Sequence, residues 1–594
     1  MPLSLPSRRP GTDGPANQPI FTVKVDGQAL ARKHPVLSLR VQHEVNRIST
    51  AHVVLQDGNA AKSTFALSEL SLFVPGATLE ITAGYMGRAE KSIFKGLVVK
   101  HAIEGHPGGS SRLVITAKDA FVKTTLATRR RYFSKQTDSQ VAQTIVSDYD
   151  GLSVKASPTS IKHPELLQYD ATDWDFLRLR AAANGLLCLL DNGKLTLTKP
   201  ELSQPAVLAL QYGATLYSFD AEMDARDQAS SLKATAWDLA DGKPTEVKAA
   251  EPPTDSFGDV SARKLAGALG QNHTLYYDGP LPAAELQAWA DAALLRHRMA
   301  KIRGRVQFDG NAAVKPGTII ELSGLGKHFT GKAYVTGVSH RLEHGTWRTD
   351  AQLGLAPRAQ TPAVPENGAA PLSPPPAAGL VAGVQGLQIG VVTALAGDEA
   401  GEERIAVRLP LVDPTADGTR ARLVSLDAGK ERGFFFRPEV GDEVVVGFLH
   451  GDPREAIVLG ALHGSRHPVP APFKTDDANP LKGFVSRSKL QVVFDDEKKT
   501  LTLSTPGGGL FCLDDDAKSL TLQDQNGNKI VLSDAGISLE SSKALTLKGG
   551  TDTTLDGQNV TLTAQAQLKA SGSGGAEFSS SATAVLKGAT VMIN

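Results

Sequence analysis

A short alternating pattern repeats along the last hundred residues and limits the possible folds of this chain more than any other feature. Three-residue segments of apolar, polar and apolar type recur there, and an all-apolar variant occurs once: Leu501–Leu503, Leu520–Leu522, Ile530–Leu532 (the variant), Ile537–Leu539, Leu545–Leu547 and Val560–Leu562. Alternation with a period of two predicts strands with one buried face. Short repeats separated by turn residues predict a solenoid or a stack of strands.

Strands this short cannot bury their apolar faces alone, so each must lie against a neighbour. After Leu501 the aromatic residues are Phe511 and Phe578, too few to fill a globular core. We therefore expect a long, thin β-prism that closes by winding around copies of itself. A lone chain of this kind would expose apolar stripes and unpaired strand edges, which are a template for aggregation.

The overall composition is typical of a multidomain protein without a strong charge. A length of 594 residues favours about three to five domains. Basic and acidic side chains balance at 63 each, so no general affinity for polyanions is indicated. Two cysteines, Cys188 and Cys512, favour synthesis in a reducing compartment. The first 19 residues lack an apolar stretch, so we expect no secretory signal, and no 18-residue apolar run predicts a membrane span.

Changes in composition predict six segments: a flexible N-terminus at 1–19, an N-terminal region at 20–355, a Pro-rich linker at 356–386, a barrel at 387–467, a connector at 468–489 and an arm at 490–594. The linker is expected to be a semi-extended tether, because seven prolines fall between Ala356 and Pro376. The barrel segment contains about five short strands, which suit a small closed OB-fold.

The N-terminal region mixes strands with three predicted helices. One begins at Thr137-Asp138 and continues through Val146, a second runs from Thr172 to Asn184-Gly185, and a third spans about Ala283 to Lys301. Strands with occasional helices favour an α+β region of two small barrels or sheets.

Three stretches of the chain form a recognisable series in this order: Tyr169–Gly185, Gly433–His463 and Ser486–Asp496. They resemble, in turn, a segment of the hub domain, the OB domain and the entry into the spike of the VgrG spike proteins of type VI secretion systems, extracellular contractile injection systems and contractile phage tails. One departure is Lys489, where many relatives carry Gly. The OB motif residues are Arg437, Pro438, Gly441, Asp442, Glu443, Gly451, Asp452 and Pro453.

The resemblance implies a mainly β chain with some α-helix: a hub of small barrels with helices, an OB-fold barrel and a C-terminal trimeric triangular β-helix. It implies a homotrimer that caps an inner tube, contacts baseplate proteins and is driven through a target envelope by sheath contraction, touching the target membrane transiently. The chain's last residues, Val591, Met592, Ile593 and Asn594, would form a platform for a PAAR-type tip protein, and effectors are possible cargo. Such a protein is made in the bacterial cytoplasm and delivered outside the cell or into its target.

Candidate chemistry in the sequence favours no enzyme, cofactor or metal. His340-Arg-Leu-Glu-His344 matches the H-x-x-E-H pattern of some zinc proteases. The flanking residues predict a strand, a turn and a strand, in which the two histidines lie about 13 Å apart at ~3.3 Å per residue and cannot share one zinc. The acidic residues of the barrel suggest a glycosidase pair less well than they suggest turns, where Gly and Asp are favoured for backbone reasons.

Nucleic-acid binding by the barrel is also disfavoured. Residues 387–467 hold nine Lys or Arg against thirteen Asp or Glu, whereas single-strand binding needs a basic groove. At least one ring of Phe434-Phe435-Phe436 is expected to face the barrel core. The triplet Arg129-Arg130-Arg131 is interpreted as a hub or subunit contact, and Cys188 as a core residue.

Two other functions stay open at this point: a tail-associated enzyme with a cryptic hydrolase in the hub, and a β-helical adhesin or polysaccharide binder. The sequence does not decide between a type VI system and an extracellular or phage-like particle.

Overall fold

The computed structural model describes residues 18–31, 33–105, 111–254, 257–357, 375–473 and 476–593. The chain divides into two compact units, Met1–Leu462 and His463–Asn594. Of the expected flexible segment 1–19, residues 1–17 lie outside the described ranges, and Pro19 begins the first strand. Within these ranges, no helix combines the length and apolar character needed to cross a membrane.

The N-terminal region consists of strands with four helices among its described residues. Their bounds are β1 Pro19–Val25, β2 Gln28–Ala29, β3 Val36–Glu44, β4 Thr50–Gln56, β5 Thr78–Tyr85, β6 Lys91–Glu104, β7 Arg112–Lys118, β8 Thr128–Thr137, α1 Asp138–Ser147, β9 Ser153–Ala156, β10 Lys162–Thr172, α2 Asp173–Ala183, β11 Leu187–Asp191, β12 Lys194–Thr198, β13 Leu208–Gln211, β14 Leu216–Met223, β15 Ser231–Asp238, β16 Lys243–Lys248, α3 Ala262–Leu269, β17 Asn272–Pro280, α4 Ala283–Met299, β18 Ile302–Asp309, β19 Ile319–Ser323, β20 Gly331–Glu343 and β21 Thr346–Leu353.

A thirteen-stranded sheet forms the scaffold of this region, with its main path in the order β14-β18-β21-β20-β3-β4-β7-β6-β5-β1-β2. The antiparallel pairing of β3 with β20 joins the start of the region to its end. Alternating residues such as Val53, Leu79 and Ile115 are fully buried on one face, as a period of two requires. Helices α1, α2 and α4 pack against three smaller sheets, β8-β10, β9-β12-β11 and β16-β15-β17.

Three helices begin where the sequence predicts. Thr137 caps α1, and its side chain and that of Gln140 form a reciprocal capping box. The Thr172 hydroxyl accepts a hydrogen bond from the Asp175 amide at the start of α2. The third predicted helix is α4, whereas α3 was not predicted.

The barrel is closed by five strands in the order β22-β23-β24-β28-β27, which confirms the predicted small closed barrel. The bounds in this segment are β22 Gln388–Ala394, β23 Ile405–Arg408, β24 Thr419–Leu423, β25 Ala428–Gly429, β26 Arg432–Gly433, β27 Glu443–Phe448 and β28 Ala456–Ala461. Its core contains Val392, Ile405, Val407, Val444 and Val458.

The prediction that a ring of Phe434–Phe436 faces this core is wrong. All three rings are exposed and follow the β25–β26 hairpin. The core is completed instead by Leu167 from β10, which is 1% exposed. One leucine from outside the barrel is therefore part of its core, beside the side chains of the barrel strands.

The expected tether is also wrong for its C-terminal part. Residues 358–374 lie outside the described ranges, but Ala377 and Val381 are buried in one core of the N-terminal region and Leu380 in another. The Val384 amide donates to the Gly451 carbonyl at 2.8 Å. Composition favoured an extended chain, but the apolar residues after the prolines pack into the cores of the N-terminal region.

The arm begins as an antiparallel meander of seven strands, β29 to β35. Their bounds are β29 Leu481–Val485, β30 Gln491–Asp495, β31 Thr500–Ser504, β32 Leu510–Asp514, β33 Ser519–Gln523, β34 Lys529–Ser533 and β35 Gly536–Glu540. The first strand therefore lies inside the expected connector. Lys489 adopts the left-handed conformation, with φ of 66°, in the turn between β29 and β30, which explains why glycine suits this position.

From Ser541 to Ile593 a single chain forms no strand, although Leu545–Leu547 and Val560–Leu562 continue the alternating pattern. The apolar side chains of these segments are exposed. A strand needs a hydrogen-bonded neighbour, and one copy of the described chain provides none here.

Candidate functional site at the junction of the N-terminal region and the barrel

The β8–β10 hairpin of the N-terminal region enters the barrel core. Leu167 lies among the barrel valines, and Tyr132 and Tyr169 pack against the same cluster. Arg130 donates to the Leu411 carbonyl of the barrel at 3.3 Å and pairs with Asp170 at 2.7 Å. The two domains therefore share one apolar core, whereas the sequence predicts two domains joined by a tether.

A chain of buried charges runs from three helices to this junction. Arg180 of α2 pairs with Asp138, the first residue of α1, through Nε at 2.6 Å and Nη2 at 3.0 Å. Its Nη2 also donates to Glu285 of α4 at 3.2 Å, and its Nη1 donates to the Leu380 carbonyl at 2.9 Å. His163 contacts Asp138 at 3.1 Å. One guanidinium thus ties α1, α2, α4 and the linker together.

The barrel contributes the second arginine of this chain. Arg454 donates from Nη1 to both oxygens of Glu285, at 2.8 and 2.9 Å. It also pairs with Asp452 at 2.8 Å, and the Tyr277 hydroxyl of β17 donates to the same carboxylate. Asp452 is 0% and Glu285 3% exposed, so both carboxylates that Arg454 binds are buried.

The turn before β28 has the sequence that this contact requires. His450 and Gly451 adopt positive φ angles of 53° and 68°. A Cβ at Gly451 would lie 3.1 Å from Pro376 and 3.2 Å from the Val384 carbonyl. Glycine at this position therefore allows the linker to pack closely against the turn. Asp452 then accepts a hydrogen bond from the Arg454 amide at 2.8 Å, and Pro453 lies between the two. Sequence reasoning explained this motif by turn geometry alone and missed the ion pair.

The charges stabilise one another against the cost of burial. Burial alone would raise the pKa of Glu285, but Arg454 and Arg180 together lower it. The same balance holds for Asp452, whose pKa Arg454 lowers, and for Asp138, whose pKa Arg180 and His163 lower. Buried pairs of this kind add modest net stability, but removal of one member leaves an uncompensated charge.

Two further carboxylates at the junction have raised pKa values. Burial raises the pKa of Glu165, on β10, to about 7 against the opposing effects of Thr419 and Arg420. Burial and the neighbouring Asp452 raise the pKa of Glu455 to about 8, against Arg454 and Arg404. Both groups are therefore protonated near neutral pH to a far greater extent than an exposed glutamate.

The other predicted OB motif residues lie at a different part of the barrel. Arg437 pairs with Glu403 and donates to the Leu395 carbonyl at 3.1 Å, and Pro438 follows it. Asp442 accepts from the Glu439 amide at 2.8 Å, and Gly441 donates to the Val392 carbonyl at 2.8 Å. Glu443 begins β27. These residues shape the turn into β27, as the backbone argument predicts.

Three other sequence features take structural roles. His340 is buried on β20 and His344 lies in the turn to β21, which confirms the predicted hairpin. Arg131 pairs with Asp148 and Asp173 within the N-terminal region, in agreement with a contact inside the hub. Cys188 is buried, as predicted.

The residues predicted to receive a tip protein lie in the C-terminal unit. Val591, Met592 and Ile593 are exposed there, and Asn594 lies outside the described residues.

We expect Arg454→Met to destabilise the N-terminal region by about 3–5 kcal/mol, because Glu285 and Asp452 would remain buried without their counterion. Glu285→Gln should also be costly, and the double variant should cost less than the sum of the two. Unfolding by guanidinium, followed by tryptophan fluorescence, measures this, since all four tryptophans lie between Trp174 and Trp347.

The matched control for this cycle is the exposed pair of Lys233 and Glu246, 2.6 Å apart. Lys233→Met should change stability by about 0–1 kcal/mol. A cost for Arg454→Met as small as that of the control, or strict additivity of the two junction variants, would contradict a buried charge chain.

The stability of the junction should fall as the pH rises from about 5 to about 8. Glu455 has a usual pKa of 4.5 when unfolded and about 8 when folded, so across this range the folded chain keeps a proton that the unfolded chain has lost. Glu455→Gln should flatten the pH dependence of the thermal midpoint. An unchanged slope in this variant would show that Glu455 does not titrate there.

Comparisons with known proteins agree with this architecture. Residues 16–344 match the family described as Alg8 N-terminal domain, and residues 388–463 match the type VI secretion system/phage-baseplate injector OB domain. Over 109 residues the chain is 36% identical to the type VI secretion system spike protein VgrG5 of Pseudomonas aeruginosa, which covers 16% of this chain and 14% of that protein. The match thus spans about a seventh of the curated relative.

Two solved structures share the fold. Both are chains of the Francisella PdpA–VgrG complex, each 10% identical over 88% of this chain. The half-lidded form gives a TM-score of 0.52 with 88% of its chain covered, and the lidded form gives 0.51 with 80% covered. The chain belongs to the Alg8 N-terminal domain family, its barrel matches the injector OB domain, and in sequence and fold it resembles VgrG-type spike proteins.

Proposed function

We propose that this chain is the mechanical spike of a contractile injection machine, in which three copies wind their arms into one shaft. The observation that carries the proposal is the arm's exposed apolar repeat. In one chain, leucines at the same place in successive strands, Leu503, Leu513, Leu522 and Leu532, stay exposed. A single-layer sheet with such a face is not stable in water by itself.

The end of the arm also requires contacts with other chains. Leu545, Leu547, Val560, Leu562 and Leu568 are exposed, and the described residues beyond Glu540 form no strand. Their alternation is that of strands, so the missing hydrogen-bond partners must come from other chains. Three copies around one axis would bury the apolar faces and pair every edge, which removes the exposed edges that favour aggregation.

The junction between the N-terminal region and the barrel suits the transmission of force. Leu167 in the barrel core and Arg454 on Glu285 connect the two domains by packing and by charge. Close-packed interiors transmit strain instead of absorbing it. A push delivered to the N-terminal region would therefore reach the barrel without a flexible hinge, as a spike driven from its base requires.

The proposed role is mechanical and includes no catalytic step. The barrel carboxylates that invite comparison with a hydrolase already have structural partners: Asp452 binds Arg454 and Tyr277, and Asp442 binds the Glu439 amide. Their hydrogen-bonding capacity is used to hold turns and domains in place.

The partners follow from the role. The N-terminal region would cap the inner tube and contact the baseplate. The exposed Val591, Met592 and Ile593 would receive a PAAR-type tip protein, and effectors could travel with it. The chain would be made in the bacterial cytoplasm, assembled into the machine, and expelled through a target envelope, with brief membrane contact and no nucleic-acid ligand.

We expect purified full-length protein to have a mass near three times 62.7 kDa by light scattering after gel filtration. Removal of the arm after Lys482 should yield monomers, because the proposed cohesion lies in the arm. The OB barrel and N-terminal region provide the folded control, since they form a separate compact unit. A soluble full-length monomer would contradict the spike function.

A further inference from the structure

Two aromatic side chains are exposed on the same face of the β16-β15-β17 sheet. Ala236 of β15 and Tyr277 of β17 are opposite one another and are buried in the cluster that contains Leu286 of α4. Successive residues of a strand project to opposite faces, so their sequence neighbours Trp237 and Tyr276 project away from α4. The exposed fractions of these two residues are 44 and 66%. The sheet therefore has one core face and one face with exposed rings.

A proline extends this apolar surface. Pro244 of β16 is opposite Trp237 in the antiparallel pair and is exposed. Tyr276 is opposite Thr235, two residues before Trp237, so the α-carbons of the two aromatic residues are about 8 Å apart. Exposed tryptophan and tyrosine are enriched in binding surfaces, since each combines a large apolar ring with one polar atom. We refer to Trp237, Tyr276 and Pro244 as the aromatic shelf.

The charges beside the shelf compensate one another, which disfavours a polyanion as its ligand. Lys233 and Glu246, on the same face of β15 and β16, form an ion pair at 2.6 Å. Polyanions bind clusters of unpaired positive charge. An uncharged ligand with apolar groups fits the shelf better.

The same chain contains such a ligand. Residues 358–374, which lie outside the described ranges, include Pro362-Ala-Val-Pro365 and Pro371-Leu-Ser-Pro374, two uncharged repeats with prolines three residues apart. Proline favours the polyproline II conformation, in which three residues advance the chain by about 9 Å. This advance is close to the spacing of the two aromatic residues. Proline-rich segments dock on aromatic-lined surfaces because their extended conformation loses little entropy on binding.

The described residues on either side of this segment lie near the two ends of the sheet. Because α4 follows β17 directly and packs on the sheet, it runs back along β15 and β17. The Leu355 amide donates to the carbonyl of Met299, the last residue of α4, at 3.1 Å. Leu380 packs with Leu286, in the first turn of α4. The helix of 17 residues is about 25 Å long, whereas residues 358–374 can span ~56 Å. The segment therefore reaches along the whole sheet with length to spare.

The C-terminal end of the segment is held near the shelf. Pro376–Gly379 lies beside β17, which is an edge strand of this sheet and carries Tyr276. One residue separates this anchored stretch from the repeat Pro371–Pro374. Such a short connection gives the repeat a high effective concentration at the shelf of its own chain.

We propose that Pro371–Pro374 docks on the aromatic shelf of its own chain, which makes the end of the proline-rich segment a fixed part of the N-terminal region. The inference goes beyond the proposed spike function. It does not depend on the trimeric arm, because the contact joins residues of one chain within its first compact unit. The docked repeat would cover Trp237 and would leave only the earlier part of the linker free.

Site-specific photo-crosslinking of the full-length protein tests this contact. With Tyr276→p-benzoylphenylalanine, irradiation should produce an internal link, so the band on a denaturing gel keeps the mass of one chain. Cleavage after Arg358 and after Glu366 separates the two repeats, and mass spectrometry should find the link on the peptide that contains Pro371–Pro374. The control carries the probe at Tyr212, which is 63% exposed and follows β13. It should give no link to this peptide.

Paired proline variants complete the test. Pro371→Ala with Pro374→Ala should reduce the yield of the link at least several-fold. The matched pair Pro362→Ala with Pro365→Ala, in the other repeat, should leave the yield unchanged. No link from Tyr276, a link to the other repeat, an equal yield from Tyr212 or a yield unaffected by the first pair would overturn the docking. Covalent dimers would show that another copy occupies the shelf and would overturn it as well.

Discussion

The carboxylate of Glu285 lies between two arginines that come from distant parts of the chain, Arg180 of α2 and Arg454 of the barrel. Three helices, the end of the linker and the turn before β28 meet near this group. The carboxylates are buried, so a change in the position of either domain would leave a buried charge without its counterion. The junction therefore specifies how the barrel sits on the N-terminal region.

The arm, unlike the junction, leaves part of its described residues without partners in its own chain. The junction pairs Arg180, Arg454 and their carboxylates within one chain, whereas the arm leaves an apolar face and the backbone beyond Glu540 without partners among its own described residues. In the proposed function, the arm therefore gains its missing partners by assembly with other copies. This division suits a device that is folded first and then assembled for use.

Features with local signals were predictable from the sequence. The caps at Thr137 and Thr172 and the alternation of the barrel strands depend on neighbouring residues, and the helices and the closed barrel appear as expected. Features that depend on distant residues were not. Asp452 looked like a turn residue because Arg454 is local to it but Glu285 and Tyr277 are not. The linker was expected to be a tether because composition does not show that Leu380 packs in a core of the N-terminal region. At least one ring of Phe434–Phe436 was expected in the barrel core because Leu167, which lies there, is far away in sequence.

The central claim is that the alternating segments beyond Glu540 become strands by pairing with other copies. Hydrogen exchange of the backbone amides in the intact assembled protein measures this directly, at peptides that contain Leu545–Leu547 and Val560–Leu562. The account predicts slow exchange there, comparable with that of β31 to β33, because each amide would be hydrogen-bonded between chains. Exchange as fast as in an unstructured peptide, in protein with the mass of a trimer, would contradict it.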